Sequence, residues 1–89
     1  MNNTLSVKIK EIAANIRHKR EYRNYTQEYL ALKLNISQNA YSKMEMAKTK
    51  LSLQRLYEIA DILDIPPGEL LGITLSAVSS YKMGDSLGR

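Results

Sequence analysis

The sequence predicts an all-α domain built of five short helices. Three observations predict it. Apolar residues recur at spacings of three and four along successive segments. A Ser or Thr stands before most of these segments, and Asn or Pro separates them. No strand-like alternation occurs within the first 72 residues.

The elements follow in order. Leu5, Ile9, Ile12, Ala13 and Ile16 make one helical stripe over residues 5–23, with Thr4 or Ser6 as a possible cap and Asn24 as a left-handed terminator. Thr26 reads as the N-cap of a second helix, "TQEYLALKL", with Leu30, Ala31 and Leu34 inward. Asn35 suits a tight turn at positive φ. Ser37 then caps a third helix, "QNAYSKMEM", whose inner side is Ala40, Tyr41 and Met44 beside Ile36. After the basic loop "AKTKL", Ser52 caps a fourth helix with the stripe Leu53, Leu56, Ile59, Ala60 and Leu63. Pro66 is expected to end it. Pro67 suits the first turn of a fifth helix, held down by Leu70 and Leu71.

This organisation divides the chain into a domain over 1–72 and a serine-rich tail over 73–89, either flexible or in contact with a second subunit. The 89 residues suffice for one domain. There is no cysteine, so neither a disulfide framework nor a thiolate metal site is available. His18 is the single histidine and has no acidic partner at ligand spacing. No cofactor, metal or catalytic group is expected. The chain has neither a membrane-length apolar run nor a signal-peptide pattern, so the expected setting is the cytoplasm.

The net charge of +4 is unevenly placed. Residues 1–50 carry ten Lys/Arg against four Asp/Glu, and residues 51–89 carry three against five. The basic half suits a polyanion. Within it, two helices joined by a tight turn make a helix-turn-helix arrangement. Gln38, Asn39, Ser42 and Lys43 lie on one polar face of the second of these helices. A paired amide at a helix start has no evident stabilising role. A Gln or Asn amide does match the N7 acceptor and N6 donor of adenine in the major groove. Lys43 can reach guanine or phosphate. Thr26 and Gln27, at the start of the preceding helix, suit phosphate oxygens, as do Lys48 and Lys50 in the basic loop. Tyr22, Tyr25 and Tyr29 form an aromatic cluster, suited either to the edge of a small core or to phosphate contact.

With these residues in view, "TQEYLALKLNISQNAYSKMEMAKTKLSLQRLYEIADILDIPPGELL" resembles the phage-repressor and Cro-like helix-turn-helix family, also called XRE-type. The resemblance covers roughly residues 7–72. It rests on Thr26-Gln27-x-x-Leu30-Ala31, on Leu34, Ile36 and Ser37 at the turn, on Glu45, and on "LxxIADxLDI" with "ELL" beyond it. It implies a compact five-helix, lambda-repressor-like domain whose second and third helices read DNA, with the recognition helix at about 37–46. It implies base contacts from Gln38, Asn39 and Lys43, phosphate contacts from Thr26 and Gln27, and an ion pair between Arg20 and Glu45. Asn35 and Ala47 stand where the family often has glycine. If positive φ is required at 47, alanine costs about 1 kcal/mol.

The function expected is a sequence-specific, repressor-like regulator binding a double-stranded operator as a homodimer. Leu70, Leu71, Ile73 and Leu75 are the expected apolar members of the dimer surface. The alternative is a protein-interaction module on the same fold, such as an antitoxin that holds a toxin-like partner.

Overall fold

The computed structural model describes residues 3–72; the tail expected over 73–89, with Ile73 and Leu75 of the expected dimer surface, lies outside them. Five helices follow one another: α1 (Asn3–Tyr22), α2 (Gln27–Leu34), α3 (Gln38–Glu45), α4 (Leu53–Leu63) and α5 (Pro67–Leu70). The helix pair α2 and α3 is packed together, α1 lies against α3, α4 and α5, and α4 closes onto α2.

The starts of α2, α3 and α4 share one device. The hydroxyls of Thr26, Ser37 and Ser52 accept hydrogen bonds from the amides of Tyr29, Ala40 and Arg55, each at 3.0 Å. Each bond satisfies an amide that the helix leaves without a partner. The fifth helix starts differently. Pro67 occupies its first turn, where a missing N–H costs nothing, and Pro66 offers no side-chain cap. Thr4 and Ser6 lie within α1 and do not cap it, because the helix already begins at Asn3.

The ends of the first four helices share a second device. Asn24, Asn35, Ala47 and Asp64 all stand at φ near +60°. In each case the next residue donates its amide back across the turn: Tyr25 to Arg20, Ile36 to Ala31, Lys48 to Lys43, Ile65 to Ala60, at 2.8–3.1 Å. This is the Schellman closure, which satisfies the last carbonyls and reverses the chain. It also corrects one expectation: Asp64, not Pro66, turns the chain out of α4, and Pro66 follows in extended conformation.

The core is a single cluster: Ile16, Leu30, Ala31, Leu34, Tyr41, Leu56, Ile59, Ala60, Leu63 and Leu70. Tyr25, Ile36 and Ile65, the residues just after three of the four left-handed turns, pack against it. So each of those chain reversals is pinned by apolar burial as well as by hydrogen bonds. At the α3 exit the equivalent residue is Lys48, which is exposed.

Some expected inward positions are not inward. Leu53 is 68% exposed, because the first turn of α4 projects past the core. Ala40 is exposed, since the first turn of α3 projects from the core and only Tyr41 points straight in. Leu70, the last residue of α5, is fully buried, while Leu71, just past the helix, is 45% exposed. Leu5 and Ile9 are about half exposed: α1 is 20 residues long and outruns the shorter helices packed on its far half. Among the described residues, no helix is long and apolar enough to cross a membrane.

Candidate nucleic-acid interface

The site is built around the inner side of α3. Tyr41 is fully buried and Glu45, one turn later, nearly so. A buried carboxylate needs partners. Glu45 has three. Arg20 of α1 meets it in a fork, Nε to Oε2 at 2.8 Å and Nη2 to Oε1 at 3.0 Å. The Tyr41 hydroxyl donates to Oε2 at 2.6 Å. Gln27 of α2 donates from Nε2 to Oε1 at 3.1 Å. Arg20 also donates to the Tyr25 carbonyl at 2.8 Å, so its fork holds the turn into α2 as well. Among the described residues, no buried side-chain polar atom lacks a partner.

The electrostatics follow from this geometry. Burial pushes the Glu45 carboxyl up, but hydrogen bonds from Arg20, Tyr41 and Gln27 and the charge of Arg20 together outweigh it, and the carboxyl sits below its ordinary range. The bond to Glu45 raises Arg20. Burial, and then the same carboxylate, push the Tyr41 hydroxyl up, so it remains a donor. Three helices therefore meet at one ionised carboxylate, which sets how α3 sits on α1 and α2.

The outer side of α3 is different. Gln38, Asn39 and Lys43 are exposed, and among the described residues their side chains have no hydrogen-bond or ion-pair partner. Ser42 is half-buried, turned toward the flank of the helix. The outward ridge runs through Asn39, Lys43 and Met46, with Gln38 and Ala40 at its open end.

The remaining expected residues flank this ridge. The Thr26 hydroxyl oxygen caps α2, which leaves its hydrogen free to donate. Gln27 is half-buried, with one amide hydrogen committed to Glu45. Lys48 and Lys50 are exposed in the loop after α3. A groove of about 700 Å³ separates α3 from the start of α4, lined by Ile36, Asn39, Ala40, Lys43, Lys50 and Arg55, among others. Arg55 was missed in the sequence. Its Nη1 donates to Glu58 at 2.9 Å and to the Leu34 carbonyl at 3.4 Å, which ties α4 to the turn between α2 and α3. The signal was its place one turn after the Ser52 cap, where α4 starts beside that turn. The Tyr25 and Tyr29 rings meet at a tilt of 42° with centroids 4.5 Å apart and pack against the core, while Tyr22 is exposed.

The arrangement is a helix pair held rigidly from behind, with exposed amides and a lysine on α3 beside a groove that Lys50 and Arg55 also line. Such a surface suits hydrogen bonding to an anionic, groove-bearing polymer. No curated protein matches the chain. A helix-turn-helix family model matches residues 16–70, which span α2, α3, α4 and α5 and more than half of the chain. The chain thus belongs to the XRE-type, Cro-like helix-turn-helix family of DNA-binding regulators.

Proposed function

We propose that the protein is a sequence-specific, repressor-like regulator that lays α3 in the major groove of a double-stranded operator. The observation that carries this reading is the pair of exposed, partnerless amides, Gln38 and Asn39, at the open end of a helix fixed from behind by Glu45. Their amides match adenine edges, and Lys43 matches guanine or a phosphate. Ser42, at the flank, contributes the lesser base contact. Thr26, Lys48 and Lys50 take phosphates, and Gln27 does so through its second amide hydrogen. Arg55 joins them from across the groove.

A single domain of this size makes few base contacts, so two copies bind half-sites about one helical turn apart. Of the four residues expected to pair them, Leu71 is the one both described and exposed. Leu70 is buried in its own core and is withdrawn from that role, while Ile73 and Leu75 lie outside the described residues.

Selection of bound sites from random duplex DNA at fixed salt tests the reading directly. A preferred site should emerge. Gln38→Ala should then weaken binding to it by about 1–3 kcal/mol and leave random DNA nearly unaffected. Equal losses on both would remove Gln38 from base reading.

A further inference from the structure

The apolar stripe of α1 does not end where its partners end. A groove of about 460 Å³ runs between the N-terminal half of α1 and the loop that leaves α3. Ile9 and Ile12 line one wall, Ala47 and Leu51 the other, with Met44 at its inner edge. Ile9 is 44% exposed. Lys48, Thr49 and Lys50 also line this mainly apolar trough, and an exposed apolar surface of this kind marks a candidate binding site.

The chain's own course supplies one. Asn15 of α1 donates from Nδ2 to the Leu70 carbonyl at 3.0 Å, and Lys19 pairs with Glu69 at 3.1 Å. These bonds fix the end of α5 beside the middle of α1. Gly72, at φ +85°, then turns the chain. From Asn15 back to Ile9 is about 9 Å along the helix at about 1.5 Å per residue. Three extended residues beyond Gly72 span about 10 Å. The segment there reads "ITLSAV"; in extended form its alternation would put Ile73, Leu75 and Ala77 on one side and Thr74 and Ser76 on the other. The apolar side matches the trough in chemistry, and the reach matches in length.

We infer that Ile73–Val78 seats in the groove of its own chain, with Leu75 against Ile9. The seated segment covers Ile9 and Ile12 and braces the Ala47–Leu51 loop. Because that loop carries Lys48 and Lys50, the seat also steadies the phosphate-contacting side of the proposed DNA surface; this consequence alone rests on the DNA reading.

The chain has no cysteine, so a single pair can be introduced cleanly. Ile9→Cys with Leu75→Cys, oxidised in the full chain at low concentration without DNA, should form an intramolecular disulfide in most molecules. Ile9→Cys with Thr74→Cys, on the opposite side of the strand, should give several-fold less. Disulfides only between two chains would overturn the inference and assign the trough to a second copy. Equal yields from the two pairs would also overturn it. As a second readout, Ile9→Glu places a charge in the trough without touching the core, and should speed chymotryptic cleavage after Leu75 at least ~5-fold. Unchanged cleavage counts against the seat. Neither readout involves DNA, so failure here leaves the function proposed above standing.

Discussion

The two sides of α3 are built on opposite rules. On the inner side, Tyr41 and Glu45 are buried and every polar atom has a partner on another helix or within the turn. On the outer side, Gln38, Asn39 and Lys43 are exposed and have none among the described residues. The same eight residues therefore carry a closed hydrogen-bond account and an open one. A binding helix needs both. Groups that will meet a ligand must stay unpaired, and the helix that carries them must not yield when they do.

The largest way to break this comparison is on the closed side. Glu45→Ala leaves the Arg20 guanidinium buried without its carboxylate and should cost about 3–5 kcal/mol of stability in urea unfolding. A loss below about 1 kcal/mol would mean that Arg20 relaxes to water and the network holds nothing. The same network has a pH signature. Because the Glu45 carboxyl is lowered in the folded state, its contribution is complete above the ordinary value of 4.5 and fades as pH falls through the lowered folded value. The acid limb of stability against pH should be shallower in Glu45→Gln than in the parent; identical limbs would place the acid sensitivity elsewhere.

The open side should respond in the reverse way. Gln38→Ala touches no partner, so its unfolding free energy should stay within about 0.5 kcal/mol of the parent while its operator affinity falls. A larger loss of stability would show that the amide serves the fold.

A smaller effect is expected at the seam between the two sides. Of the four left-handed helix ends, three carry Asn or Asp, and the α3 end carries Ala47. Alanine there is strained, and no apolar residue follows to pin the turn. Ala47→Gly should raise stability by about 1 kcal/mol, seen as a higher melting temperature. No gain would mean that the entropy of glycine in the unfolded chain cancels the relief. Last, Lys50→Ala should reduce the salt dependence of DNA binding by about one phosphate while leaving the preferred sequence unchanged. An unaltered slope would take Lys50 off the DNA.

The helices were legible because their signals are local. The caps at Thr26, Ser37 and Ser52 are decided by hydroxyls bonding to backbone three residues on, and the turns at Asn24 and Asn35 by the ease with which Asn takes positive φ. The turn at Asp64 was missed because the two prolines beyond it gave a louder signal. The outward amides were legible for the same local reason, being polar residues on a periodic face. Leu53 and Ala40 were misplaced because periodicity says which residues share a face, and not how far that face extends over the neighbouring helices.

By itself, then, the sequence determined where α2 to α5 start, where α1 and α2 stop, and which side of α3 is polar. Those are short-range choices among a few backbone states. Only the tertiary structure decided that Gln27 turns one amide hydrogen inward to Glu45, that Arg55 reaches back to the Leu34 carbonyl, that Leu70 is core and Leu71 surface, and that α1 overhangs an open trough. Each of these depends on the distance between residues far apart in the chain. Such distances are set by how the whole set of helices packs around one small core.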